Sequence, residues 1–173
     1  ITTRLVGSEM CIRDRYIEET AIHKGIAQTV WLGRMTKVAE HPYIYVDGAH
    51  NVAAWEYLRT SVEKYFTNRR VIYIIGVLKD KEYEKMVEIL APTMAAAVVV
   101  TPDTPRGLPK EILAPLIQAQ GVPVQLADTS AEALQKAREQ AGETGVILVS
   151  GSLSFLAEYL QLESGDENNG ASR

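Results

Sequence analysis

The chain has 173 residues, 46% of them apolar and 23% charged, enough to bury one ordinary globular core. Its formal charge of -4 at pH 7 argues against a nucleic-acid or anionic-membrane partner, since such partners are met by clustered Lys and Arg, and its apolar runs fall far short of the ~20 residues of a bilayer span. The single cysteine, Cys11, forms no internal disulfide and no Cys/His cluster has zinc spacing, so a cytoplasmic setting without a structural metal is expected.

Residues 1–15 show neither periodicity nor a secretory apolar stretch. The string Val6-Gly7-Ser8-Glu9-Met10-Cys11-Ile12-Arg13-Asp14-Arg15 resembles translated adapter sequence, and this leader is expected to be foreign to the fold. One domain is expected over residues 16–163. Residues 164–173 have nothing to bury and read as a disordered tail.

Strand and helix patterns alternate between those ends. A short helix is predicted over 17–27, a strand over 35–38 and an apolar strand over 43–46. Trp55, Leu58, Val62 and Tyr65 mark one face of a helix starting near Asn51. Residues 71–77 are continuously apolar and β-branched, as in strands covered on both faces. Tyr83, Met86, Val87 and Leu90 give the next helix, stopped before Pro92, and residues 96–101 give another buried strand.

Pro109 opens a helix carrying Ile112, Leu113, Leu116 and Ile117, which Pro115 should bend or shorten. A strand over 124–126 follows. Thr129 with Glu132 forms a capping box for a helix through Ala141, ended by Gly142. Residues 146–150 close the sheet, and Gly151-Ser152-Leu153-Ser154 turns into a last helix ending near Leu160. The expected class is α/β: a three-layer, Rossmann-like, mostly parallel sheet with helices on both faces.

Asp47-Gly48-Ala49-His50-Asn51 is the most telling stretch, because an apolar strand delivers it straight to a helix start. Ligands sit at the carboxyl ends of strands in such folds, and the helix beginning there offers free N–H groups and a partial positive charge. Asp47 can accept from a ribose diol, and otherwise caps the turn. His50 can orient a phosphate or a carboxylate. Asn51 is a good N-cap with or without a ligand.

Gly33-Arg34 brings a forked phosphate donor to the start of a strand. Three further loops end on the same carboxyl edge: Gly76 to Lys81, whose plain reading is a solvated charged loop; Thr101-Pro102 with Pro105-Arg106-Gly107, where an adenine can lie; and Gly151-Ser152. Ser152 offers a hydroxyl to a carboxylate, or is an ordinary N-cap. Neither G-x-x-x-x-G-K-[ST] nor G-x-G-x-x-G occurs, so the chain completes a nucleotide site rather than making one.

Gly33-Arg34, Asp47 to Asn51, Gly76 followed by Lys79-Asp80-Lys81, Pro105-Arg106 and Gly151-Ser152, together with Trp31, resemble the C-terminal domain of folylpolyglutamate synthase/dihydrofolate synthase, in the Mur ligase superfamily. The likeness covers residues 17–162 in order. Leu32 and Val52 depart from it, standing where the family usually has proline, and neither change removes a functional group.

The resemblance implies an ATP-dependent amide ligase that joins L-glutamate to dihydropteroate or a folate through an acyl phosphate. It places the P-loop and the Mg²⁺ ligands in missing upstream domains, leaves this part inactive alone, and leads us to expect a monomer. Arg34 and Asp47 would then bind the nucleotide, His50 would be catalytic, and Ser152 and Asn51 would bind glutamate. The alternatives are another Mur-type amino-acid ligase, or a stand-alone binding module without catalysis.

Overall fold

A computed structural model describes residues 18–28, 33–153 and 156–159. The expected leader, the expected tail, Trp31 and Leu32 lie outside the described residues. The described residues divide into two units, one before residue 32 and one after it. In the first, α1 spans Glu19–Gln28, against the predicted 17–27, and Thr20, Ala21, His23 and Lys24 on it are exposed.

In the second unit, the strands are β1 (Thr36–Glu40), β2 (Tyr43–Asp47), β3 (Val71–Ile75), β4 (Ala96–Val100), β5 (Val124–Ala127) and β6 (Val146–Ser150). The helices are α2 (Val52–Tyr65), α3 (Tyr83–Leu90) with a 3₁₀ turn at Ala91–Thr93, α4 (Lys110–Ala119) and α5 (Ser130–Ala141). A last helical segment includes residues 153 and 156–159. No helix among the described residues is long and apolar enough to cross a membrane.

The sheet order is β1-β2-β6-β3-β4-β5, parallel except for the β1–β2 hairpin. β6 was expected to close the sheet, but it sits in the middle, between β2 and β3. Its residues Val146, Ile147, Leu148 and Val149 are all fully buried, a pattern only a central strand covered on both sides can satisfy. The chain therefore leaves β2, skips a position to β3, runs outward to β5 and returns. That return reverses the strand order beside β6, and in such folds ligands sit at the carboxyl ends of the strands at the reversal.

Strand residues alternate between two cores. Tyr73, Ile75, Val99 and Leu148 meet Trp55, Leu58, Met86, Leu90, Leu113 and Ile117 of α2, α3 and α4. Ile72, Ile74, Val98, Ile147 and Val149 meet Ala133 and Ala137 of α5, with Leu156 and Tyr159 of the last segment.

Three local expectations change. Tyr65 is exposed, and Phe66 at the end of α2 is buried in its place, because the stripe through Trp55, Leu58 and Val62 steps on by four residues. Pro115 does not stop α4, which runs on to Ala119. It lies with Glu111 on the exposed side, where water can take the carbonyl bond the proline forfeits. The buried face of α4 is accordingly Leu113, Ala114 and Ile117, and Ile112 is exposed. At α5, Thr129 accepts from the Glu132 N–H as expected (3.1 Å), but the Glu132 carboxylate reaches the Asp128 N–H (2.7 Å) instead of returning to Thr129.

Candidate functional site

Antiparallel pairing of β1 with β2 sets Thr36 opposite Val46, so the loop before β1 lies beside the carboxyl end of β2. This is how Arg34, thirteen residues away in sequence, comes to the same edge as Asp47. Gly48 N–H donates to the Gly33 carbonyl at 2.6 Å, and Gly33 N–H donates to Thr36 Oγ1 at 3.0 Å.

Asp47 ties the two loops together. Its Oδ2 accepts from Met35 N–H at 2.9 Å and its Oδ1 from Ala49 N–H at 2.8 Å. Met35 adopts a left-handed φ of 44° to present that N–H, local strain of a kind that collects at functional sites. The Asp47 side chain is buried, which pushes its carboxyl pKa up, while the Ala49 and Met35 amides and the Arg34 charge pull it partly back.

The Ala49 carbonyl is a second knot. It accepts from Trp55 Nε1 (3.0 Å), Gly151 N–H (3.2 Å) and Ser150 Oγ (3.3 Å), joining the β2–α2 loop to the first turn of α2 and to the end of β6. Asp47 itself is paired with Ser150 in the β2–β6 register. Gly151 has φ +121°, and a Cβ there would collide with the Gly76 carbonyl oxygen. Only glycine lets these two strand tips close.

His50 Nδ1 lies 2.7 Å from the Gly48 carbonyl, which can only accept. Nδ1 therefore carries the proton, and Nε2 is left to accept from, or once protonated donate to, a ligand. Asn51 caps α2, its Oδ1 accepting from Ala54 N–H at 2.9 Å. Ser152 is buried, and its carbonyl accepts from Leu156 N–H at 3.3 Å, so it opens the last helical segment. Arg34 is exposed at the rim. All five predicted positions thus stand on the carboxyl edge, in two neighbouring strand-to-helix turns and the loop hydrogen-bonded to them.

The loops after β3 and β4 join each other instead. Lys79 N–H donates to the Arg106 carbonyl and Leu108 N–H to the Val77 carbonyl, both at 2.9 Å. Arg106 pairs with Asp80 at 2.7 Å, which holds the Asp80 carboxyl below its usual range. Lys81 is engaged with Asp80 at 3.4 Å, so these charges are largely occupied among themselves.

Arg34, Met35, Asp47, Ala53, Ala54, Tyr57, Leu58, Ser61 and Tyr65 line a cleft of about 540 Å³. Its polar end, a carboxylate beside a guanidinium, suits a hydroxylated and anionic ligand. Sequence reasoning missed Met35, whose backbone orients Asp47, the indole bond of Trp55, and Tyr57. The available signal was Tyr57 itself, an aromatic lying off the apolar stripe of its helix. Among the described residues, no group of three His, Cys, Asp or Glu could hold a metal ion.

The family described as "Mur ligase, glutamate ligase domain" matches residues 33–153. The chain is 28% identical over 144 residues to the dihydrofolate synthase/folylpolyglutamate synthase of Bacillus subtilis, covering 83% of this chain and 33% of that protein. It is 30% identical over 146 residues to the Escherichia coli enzyme of the same name, covering 84% of this chain and 34% of that one. It therefore spans about a third of the length of these relatives. The solved structure of E. coli FolC in complex with DHPP and ADP superposes with a TM-score of 0.80 at 28% identity, over 87% of this chain and 36% of that chain.

Proposed function

The chain belongs to the Mur ligase, glutamate ligase domain family, and from that premise we propose that it is the C-terminal, nucleotide-closing and glutamate-binding part of an ATP-dependent folylpolyglutamate/dihydrofolate synthase. The observation that carries this reading is the single rim built by Asp47, His50 and Ser152 with Arg34, at the carboxyl ends of β2 and β6. The names of the relatives above support the substrate class we assign, dihydropteroate or a folate with L-glutamate as the amine. The unit from residue 32 onward carries this role and works with upstream domains that carry the P-loop.

When bound, ATP supplies the phosphoryl group that turns an unreactive carboxylate into an electrophile for an amine. The residues here bind, orient and shield. The free lone pairs of Asp47 accept from ribose hydroxyls, while its amide bonds hold the carboxylate still. Arg34 approaches a phosphate or the ribose from the open side. His50 presents Nε2 toward the reacting groups, its orientation fixed through Nδ1. Ser152 and Asn51, at the starts of two helical segments, receive the glutamate carboxylates, which the partial positive charge there favours. Closing this rim over a partner domain excludes water from a hydrolysable intermediate.

Equilibrium dialysis of the purified chain against labelled ADP tests the reading, run beside an assay for ATP-dependent glutamate ligation. Expected are ADP binding that weakens about tenfold in Asp47→Asn and no ligation by the chain alone. Failure to bind ADP removes the nucleotide role, and turnover by the chain alone overturns its dependence on upstream domains.

A further inference from the structure

We infer that Tyr57 is the platform on which the base of the bound nucleotide stacks, which makes the exposed face of α2 the base-recognition surface of the site; the inference rests on the nucleotide reading of Asp47 and Arg34. Tyr57 is 77% exposed, an unusual placement for a large aromatic that contributes nothing to the core. It lies on the wall of the same 540 Å³ cleft whose polar end is Arg34 and Asp47.

The spacing suits a nucleoside. Ala53 and Ala54, with methyl side chains, line the cleft on the turn of α2 that precedes Tyr57. Tyr57 follows Ala54 by three residues, about 5 Å along the helix axis at 1.5 Å per residue. A ribose held at Asp47 thus projects its base along α2 onto the phenol ring. Ser61, one turn further on the same wall, offers a hydroxyl, although its Oγ also bonds the Tyr57 carbonyl at 3.0 Å. Tyr65 ends the stripe, with the Lys64 ammonium 5.3 Å from its ring centre.

The competing place for the base is the rigid loop of Pro102, Pro105 and Arg106 after β4. β4 stands three positions from β2 in the sheet, roughly 14 Å at the usual strand spacing. That loop is also bound to the loop after β3. A base stacked there draws its ribose away from Asp47. Stacking on an aromatic face tolerates any base, so Tyr57 sets affinity and leaves purine discrimination to edge contacts.

The probe is 1,N⁶-ethenoadenosine diphosphate, whose fluorescence reports stacking, titrated into the full chain, Tyr57→Ala, Tyr57→Phe and Asp47→Asn. Tyr57 is exposed, so its replacement leaves the fold intact, which melting curves verify. Support consists of quenching on binding, a loss of affinity of roughly 5- to 50-fold in Tyr57→Ala with the quench abolished, and recovery of both in Tyr57→Phe. Binding that depends on Asp47 and is indifferent to Tyr57→Ala overturns the platform while leaving the nucleotide site standing. No binding by the parent chain overturns both. A dimer of the parent chain in sedimentation that Tyr57→Ala dissolves, without altered probe binding, makes the stripe a contact between copies and likewise overturns the platform.

Discussion

The two ends of the sheet carry clefts of nearly equal size and opposite character. The amino edge holds one of about 560 Å³ lined by His41, Tyr43, Asn68, Arg69, Arg70, Glu143 and Thr144, and the 540 Å³ cleft starts at Arg34 and Asp47 on the carboxyl edge and runs along α2 past Tyr57. Volume does not separate them. Chemistry does: the amino edge is where α2 and α5 end, so helix carbonyls give it partial negative charge, and Arg69 and Arg70 are the cations expected to answer it. Arg69 additionally covers the Tyr43 ring, 5.0 Å from its centre. The carboxyl edge receives helix N-termini, which favour an anion, together with a buried carboxylate that accepts from hydroxyl groups and loops tied across strands. A functional end of an α/β sheet is recognised by which helix termini face it and by polar groups held in place.

The sharpest way to break this contrast is to disturb each edge at a glycine of positive φ. Gly151→Ala pushes a Cβ into the Gly76 backbone, whereas at Gly121 (φ +81°) a Cβ meets nothing within 4 Å. Gly151→Ala should cost roughly 3 kcal/mol, lowering Tm by about 6–12 °C, and Gly121→Ala only about 1–2 kcal/mol of backbone strain. Equal melting shifts in the two variants would show that the carboxyl edge is no more tightly knotted than the amino edge.

A smaller effect, and one confined to the carboxyl edge, is the pH response of Asp47. Its carboxyl pKa is raised in the folded chain above the ordinary 3.8, chiefly by burial. The folded state then holds the proton more tightly than the unfolded chain, so stability falls as pH rises from the ordinary value through the raised one, and is level above both. Asp47→Asn removes that segment. Denaturant titrations from about pH 3 to about pH 7 compare the two profiles, and identical slopes sink the assignment of this segment to Asp47. The smallest effect belongs to the amino edge: Arg70→Ala should shift stability by less than about 0.5 kcal/mol and leave nucleotide binding unchanged. A lost nucleotide signal in Arg70→Ala would place the site at the wrong end.

Much of the candidate site was legible beforehand because strand-to-helix turns announce themselves in sequence: apolar residues 43–46 ran into Asp47, and Asn51 was a recognisable cap. The double use of Asp47 was not legible. Its bonds to Met35 and Ala49 mean that removing the carboxylate strips the proposed ligand contact and also orphans two amides, so Asp47→Ala confounds binding with folding in a way Asp47→Asn limits. Trp55 counted only as an apolar position, although its indole N–H is what fastens the first turn of α2 to Ala49.

Periodicity and turn chemistry by themselves determined the elements, the α/β class and the edge on which Asp47, His50, Asn51 and Ser152 would lie, since those signals are local. Tertiary structure alone decided that β6 enters the centre of the sheet, that Arg34 reaches Asp47 through an antiparallel hairpin, and that Phe66 rather than Tyr65 is buried. The reason is that strand order and side-chain burial depend on which distant segments compete for the same neighbour, and no local pattern of residues carries that information.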